Sequence, residues 1–454
     1  MGRTLKSPAT IVANLEKSIA QIPALHKLYD ITIVTPMFGG GYLAGKIDTD
    51  RLVRTSTVRG QLRFWWRATR GAAFDNVYEL RKREAEIFGD TSRPSCIQIR
   101  IEQSRAVENV NRRARFPKYS LVSADEEVKK AQRKSIDYTI GHTFKLHIIY
   151  KQPTDDITKS INLEEIQRTE IAPALWAWIN FGGVGARTRR GCGSLYCKGI
   201  SPTSDHCTHQ KFQAWFEEHI QKYELKLLQE KQSREWPTLS RQIRFRPRIE
   251  GMFDAWDEAI EAYRLFRRRA NEGKSSSRPG RSQWPEADSI RNITGMKHPK
   301  HIKKYPASKP DKLLAFPRAQ LGMPIIFKFK QTMDEDKKLP TTELRKRKPW
   351  EKEPYDTQLV PKDKERLASP VIVKPLACNL DRSLGIIAIL NQPALEEVHL
   401  NQKDNVIKKL RAEEIYPETL YEHNPMQNYQ SAVEAFLHSE EVNKFCDSTN
   451  RKKS

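Results

Sequence analysis

Residues Tyr29 to Thr35 alternate between polar and apolar, stop at Pro36 and run into the glycine turn Gly39-Gly40-Gly41, the pattern of a strand entering a loop. From about Ser56 to Phe88 the spacing becomes helical, and Ile97 to Ile101 returns to strand spacing. Phe144 to Tyr150 gives a third strand, Leu163 to Phe181 a second helix with Trp176 and Trp178 near its end, and Gly193 to Lys198 a fourth strand. The succession β-α-β-β-α-β is the split βαβ, or ferredoxin-like, unit, whose antiparallel sheet carries both helices on one face and leaves the other face open.

In the second half the pattern predicts a strand at Gln242 to Ile249, an amphipathic helix at Ala255 to Arg269, and strands at Pro324 to Phe329, Pro370 to Pro375 and Leu384 to Leu390. Short helices are expected at Val406 to Arg411 and Ser431 to Leu437, with Asn443 to Ser454 frayed. The stretches Asn271 to Gln283 and Gln331 to Glu365 are too polar to bury much and are expected as exposed excursions. A chain of 454 residues is too long for one ordinary core, so a second sheet domain sharing a side with the first is the economical reading.

Charge narrows the function. Lys and Arg number 79 against 56 Asp and Glu, a net charge of +23, which favours a nucleic-acid partner over an anionic membrane. The longest apolar run, Leu384 to Leu390, is far short of the roughly 18 to 20 residues of a spanning helix. Lys6 stands where a myristoylation signal has Ser or Thr, and no signal-peptide block opens the chain, so a soluble, cytoplasmic protein is expected. Six dispersed cysteines fit a reducing compartment.

The charge concentrates in two places. RGQLRFWWRATR, from Arg59 to Arg70, holds four arginines and three aromatics without an acid. On a helix Arg59, Arg63, Arg67 and Arg70 share one sector, Leu62, Trp65 and Thr69 lie on the adjacent face, and Trp66 stands at the border as a core residue or a stacking surface. No Glu or Asp at the i+3 or i+4 positions neutralises the row. The second place is GGVGARTRRGCG, from Gly182 to Gly193. Gly182, Gly183 and Gly185 would let backbone amides approach a phosphate while Arg187, Arg189 and Arg190 supply charge-assisted donors. The loop follows a helix, where a dinucleotide fingerprint follows a strand, and it lacks the Gly-Lys-Ser/Thr ending of a P-loop.

Other chemistry is sparse. Cys192, Cys197, His206, Cys207 and His209 match no zinc spacing and read as buried thiols beside a polar loop, so no metal or cofactor is expected. No HExxH, G-x-S-x-G or kinase motif is present. His26 and Tyr29 are the candidates for a metal-free ribonuclease, in which a base activates the 2′-hydroxyl and a cation stabilises the phosphorane.

TPMFGGG at Thr35 to Gly41, STVRGQLRFWWRATRG at Ser56 to Gly71, EAEIFGD at Glu84 to Asp90 and NFGGVGARTRRGCGSL at Asn180 to Leu195 together resemble the RAMP superfamily of CRISPR effector proteins, in its type III-B (Cmr) branch. WPEADSIR at Trp284 to Arg291, FPRAQLGMPIIF at Phe316 to Phe327 and RLASPVIVKPL at Arg366 to Leu376 extend the resemblance. It implies an α+β fold of two ferredoxin-like (RRM-like) domains, at 1–205 and 206–400, with long insertions and a short helical C-terminal segment at 401–454. It further implies a non-catalytic subunit capping a ribonucleoprotein near the 3′ end of the guide RNA and the 5′ end of the target RNA, beside other Cmr subunits. Carried over by motif, the RNA-binding residues are Arg54, Arg59, Arg63, Trp66, Arg67, Gly182, Gly183, Gly185, Arg187, Arg189 and Arg190. The alternatives are a metal-independent RAMP endoribonuclease acting on repeat RNA and a basic scaffold that meets acidic protein partners.

Overall fold

The computed structural model describes residues 25–41, 47–48, 50–103, 117, 119–120, 138–152, 161–206, 208–229, 232–271, 282–296, 314–329, 348, 352–403, 405–416 and 424–447. Most of the insertions at 109–137, 272–283 and 331–365 lie outside them.

The first half is built on β1 (Leu25–Ile33), β3 (Ile97–Glu102), β5 (Thr143–Tyr150) and β6 (Leu195–Tyr196), with β2 (Met37–Phe38) and β4 (Tyr138–Thr139) paired to one side. The four form an antiparallel sheet in the order β3-β5-β1-β6. Ile31, Ile33, Ile97, Ile99, Phe144, Leu146, Ile148 and Tyr150 project from one face into the core. Helices α1 (Thr55–Arg70) and α3 (Ala172–Phe181) cover that face, while His26, Leu28 and Asp30 lie exposed on the other.

The helical stretch Ser56 to Phe88 is two helices, not one. A 3-10 turn at Gly71–Ala73 ends α1, and α2 (Val77–Phe88) restarts at Asn76, whose side chain accepts the Glu79 amide at 3.0 Å. Leu163 to Phe181 is also interrupted, by a π-turn at Ile166–Ile171 that sets Glu170 inside the fold. The expected fourth strand shortens to Leu195–Tyr196 because the preceding glycines fold back on Thr35 and Pro36.

The second half divides its strands between two antiparallel sheets. β7 (Thr238–Phe245), with β8 (Glu250–Gly251), joins β11 (Val371–Ala377) and β12 (Arg382–Asn391) in the order β11-β12-β7. β9 (Ile325–Phe327), β10 (Thr357–Pro361), β13 (Glu397–Gln402) and β14 (Asn405–Arg411) form the other, in the order β14-β13-β10-β9. Helices α4 (His209–Lys222), α5 (Met252–Arg267), α6 (Glu286–Thr294), α7 (Ala432–Leu437) and α8 (Glu440–Cys446) complete the body.

Three expectations are corrected here. Val406 to Arg411 is a strand, because the turn after Gln402, with Lys403 at φ +52°, folds it back on β13 where Leu410 is buried opposite Val398. The charged excursion contributes β10, whose Thr357 and Leu359 are buried, and Glu353, which pairs inside the protein with Arg291 at 2.7 Å. The segment expected to fray continues α8 to Cys446, with Val442 and Phe445 buried.

The β11–β12 hairpin is buried on both faces. Ile372, Leu376, Leu384, Ile386 and Ala388 join the core that holds Trp65 and Trp176, while Val371, Val373, Ile387 and Ile389 face Trp256, Tyr263 and Phe266 of α5. Among the first set stands Lys374, fully enclosed, its Nζ donating at 2.8 Å to the carbonyl of Gly182 at the end of α3. Burial pushes its ammonium down from 10.5 to about 7. Between these values the unfolded chain holds the proton and the folded chain does not, so stability rises with pH over that window. A series of urea midpoints from pH 7 to pH 10 is expected to show this rise, and Lys374→Met is expected to flatten it; equal slopes in the two proteins would mean that the amine titrates alike in both states.

Candidate nucleic-acid interface

The arginine row forms as the spacing predicts, on α1, but its charges are met from elsewhere in the chain. Arg63 Nε lies 2.7 Å and Arg67 Nη1 2.5 Å from the same Glu84 oxygen, a carboxylate of α2 that is itself buried. Arg59 donates to the Phe88 carbonyl and lies over the Phe88 ring, where burial and the neighbouring Arg63 lower its pKa. Arg70 stands 3.8 Å from Glu170, which also binds Arg83 at 2.7 Å. The row is therefore neutralised across the fold, not along the helix. Arg63 and Arg67 keep 43% and 32% of their side-chain surface, so both still reach solvent. They border a recess of about 510 Å³ that Arg81, Glu84, Gly89 and Trp236 also line.

Trp66 is placed otherwise than a stacking residue. It is fully enclosed, and its indole nitrogen donates to Glu170 at 2.7 Å. An indole at the border of a helical stripe follows the core when a buried carboxylate offers it an acceptor.

The glycine-arginine loop sits where the two halves meet, against the first glycine turn. Thr35 Oγ1 donates to Gly191 at 2.7 Å and accepts the Ser194 amide at 2.8 Å. The amides of Val184, Ala186 and Gly193 donate to Gly193, Phe38 and Pro36. These amides point inward and are not available to a phosphate. The glycines serve the same packing: a Cβ on Gly182 would stand 2.6 Å from Trp65 Nε1, and one on Gly185 2.8 Å from the Phe38 carbonyl. Gly183 is pressed against Gly193 in the same way.

The loop's arginines are half-buried, each turned against another segment of the chain. Arg187 takes the left-handed conformation at φ +59°, a cost for a side-chain-bearing residue, and donates to the Ser120 carbonyl at 3.2 Å. Arg189 donates to the Ser369 carbonyl and lies 5.6 Å from the Phe64 ring centre; burial lowers it to about 10. Arg190 donates to the Tyr119 carbonyl at 3.3 Å. Arg54 reaches the Gly40 carbonyl at 2.5 Å, joining α1 to the same seam. The structure thus brings together Arg54, Arg187, Arg189 and Arg190, and places Arg59, Arg63 and Arg67 on a separate face toward α2. Motif reading did not single out Tyr119, Glu84, Glu170 or Lys374. Only their contacts, far apart in the chain, mark them.

The ribonuclease candidates do not form one site. Separated by three strand positions, His26 and Tyr29 face opposite sides of the sheet: His26 is exposed and stacks on His147, with 3.1 Å between ring nitrogens, while Tyr29 is partly enclosed and pushed up to about 12 by burial. Cys192 and Cys197 are buried thiols, each raised to about 12 by desolvation. Cys207 lies outside the described residues. Among the described residues no helix is long and apolar enough to cross a membrane.

Comparison with known proteins finds similarity over part of the chain. The RAMP superfamily model matches residues 30–196, the interval that begins in β1 and ends just past the glycine-arginine loop. The CRISPR system Cmr subunit Cmr1-2 of Pyrococcus furiosus is 28% identical over 183 residues, 37% of this chain and 92% of that protein. The Cmr1-1 subunit of the same organism is 26% identical over 160 residues, 32% of this chain and 40% of its own length. Among solved structures, the apo form of Cmr1 from Pyrococcus furiosus aligns over 91% of this chain and 96% of that one, at 14% identity and a TM-score of 0.41. A chain of the type III-B Cmr-beta complex bound to cognate target RNA aligns over 81% and 94%, at 12% identity and a TM-score of 0.43. Most of the first-half sheet, the arginine helix and the glycine-arginine loop fall within residues 30–196, the interval that matches the RAMP superfamily model.

Proposed function

We propose that this chain is a non-catalytic, RNA-binding subunit of a type III-B CRISPR (Cmr) effector complex, acting in the prokaryotic cytoplasm in antiviral defence. In this reading the first half is a ferredoxin-like RAMP domain, and the protein caps the end near the guide RNA 3′ end and the target RNA 5′ end beside neighbouring Cmr subunits. The observation that carries it is the seam: Arg54, Arg189 and Arg190 converge there, and the acceptors they hold are neutral backbone carbonyls. A phosphate adds a full negative charge and two oxygens placed for a guanidinium fork, which a neutral carbonyl lacks, so RNA can compete for the same donors. The names of the two relatives, each aligned over about a third of the chain, support the complex. Sequence choice in guide-directed systems belongs to base pairing, and a subunit of this kind needs shape and charge.

The endoribonuclease reading requires a general base at the loop. His26 lies nine residues, roughly 30 Å of extended chain, from Thr35 at that loop. Tyr119 touches the loop, but its ring is buried among cations.

Incubating the protein with end-labelled single-stranded repeat RNA in EDTA, followed by native and denaturing gels, is expected to show shifted, intact RNA. A discrete cut without metal would replace this reading with the endoribonuclease, and neither shift nor cut would deny RNA binding to the isolated chain. A second test uses the ion pairs of α1. Glu84→Gln frees Arg63 and Arg67 and is expected to tighten RNA binding at low salt and to steepen the salt dependence by up to about two phosphate contacts. The double substitution Arg63→Ala with Arg67→Ala is expected to flatten it by a similar amount. If both leave the slope at its wild-type value while melting temperatures fall, the arginine helix is structural only.

A further inference from the structure

The run Arg267-Arg268-Arg269 at the end of α5 divides by partner. Arg267 donates to the Tyr263 hydroxyl at 3.1 Å and the Leu321 carbonyl at 3.0 Å, and Arg269 meets Glu441 with Nε 3.0 Å from Oε1. Arg268 has neither kind of acceptor. It is exposed, its guanidinium carbon stands 5.2 Å from the centre of the Tyr119 ring, and among the described residues no carboxylate lies within ion-pair distance of it. Arg190, from the first half, stands at the same 5.2 Å from the same ring and likewise has no carboxylate partner there.

The end of a helix accounts for cations on α5, since the macrodipole favours them. It does not account for a second guanidinium, from another part of the chain, gathered on one ring. Each cation is attracted to the π-system, and together they raise the positive potential around the ring, which a bound anion would relieve. The phenol registers the field: burial, the largest influence, raises its pKa, but Arg267, Arg190, Arg268 and Arg318 together bring it below the ordinary tyrosine value. Tyr119 itself is 8% exposed and cannot offer its face to a base, so what the ring holds toward solvent is the exposed Arg268, with the half-buried Arg190 on the same ring.

We propose that Tyr119 is a template that holds Arg190 and Arg268, one from each half of the chain, as a two-pronged receptor for a phosphodiester group of single-stranded RNA. Arg190 and Arg268 bind, and Tyr119 is a positioning residue. The proposal deepens the RNA-binding reading and rests on it. It carries the RNA path across the seam and onto α5, outside the interval that matches the family model. Two planar guanidinium forks suit the oxygens of one phosphodiester, and the second-half contact would keep RNA from binding the first half alone.

The test uses the full-length protein and a short labelled single-stranded RNA, with anisotropy read over a salt series and melting temperature recorded for each variant. Arg268→Ala is expected to weaken binding several-fold at moderate salt and to lower the salt slope by about one. Tyr119→Phe keeps the ring and is expected to match wild type, whereas Tyr119→Leu keeps apolar volume without a π-face and is expected to behave like Arg268→Ala. Arg264→Ala, which removes a cation already paired with Glu261 on the same helix, controls for net charge and is expected to leave the slope unchanged. Should wild type bind RNA while Arg268→Ala matches it, or should Arg264→Ala weaken binding as much, the receptor is overturned and the RNA-binding reading stands. Should Tyr119→Phe damage binding as Tyr119→Leu does, the ring is not the template. If wild type fails to bind, the underlying reading fails first. Because Arg268 is exposed, its variant decides the matter even if Tyr119→Leu does not fold.

Discussion

The β11–β12 hairpin must be dry on both faces, and the rest of the molecule is arranged to make it so. A strand pair with one wet face tolerates polar residues at every second position; here Val371 to Ala377 has none exposed. One face calls for α1 and α3, the other for α5, and the two cores become one solid because a single sheet is the wall of each. The glycine-arginine loop lies where that wall meets the end of α3. Its shape is thus set by packing from both halves: Gly182 against Trp65, Lys374 beneath its carbonyl, Arg189 on the chain just before β11.

The charge on α1 obeys a second constraint. Four arginines on one stripe would repel, and the protein answers with two buried carboxylates, Glu84 from α2 and Glu170 from the π-turn. Neither is neighbour to the stripe in sequence. A buried carboxylate is costly alone and becomes favourable with several donors, which is why Glu170 holds Arg83 and Trp66 together and has Arg70 nearby. The result is a basic surface that is rigid, with Arg63 and Arg67 held at fixed positions where free lysines would swing.

The elements with one strong period were legible in the chain. β1, β3, β5, α5, β11 and β12 fall within a few residues of where spacing put them, because each buries a continuous face. Errors gathered where a short segment suits two structures. NVIKKLR offers Val406, Ile407 and Leu410 at helical spacing and also alternates, and only the turn at Lys403 and the partner β13 select strand. Thr357–Pro361 is five residues inside a charged stretch and gains its burial from neighbours on either side. At the site, residue types were legible and their partners were not. The arginines and glycines announced themselves by density, but whether a guanidinium faces solvent, a carboxylate or a carbonyl depends on residues elsewhere in the chain, from 17 positions away for Arg67 to 180 for Arg189.

That separation orders events during synthesis. Arg189 meets Ser369 across 180 positions and Lys374 meets Gly182 across 192. While the ribosome is still making the second half, the finished first half has its sheet and both helices but no wall behind its loop. Trp65 and the end of α3 then lack the strand pair that later packs against them, while Trp176 awaits α4. The nascent chain therefore passes through a sticky stage, in which a chaperone or a waiting neighbour has its longest opportunity to engage, and the loop acquires its final form as one of the last acts of folding.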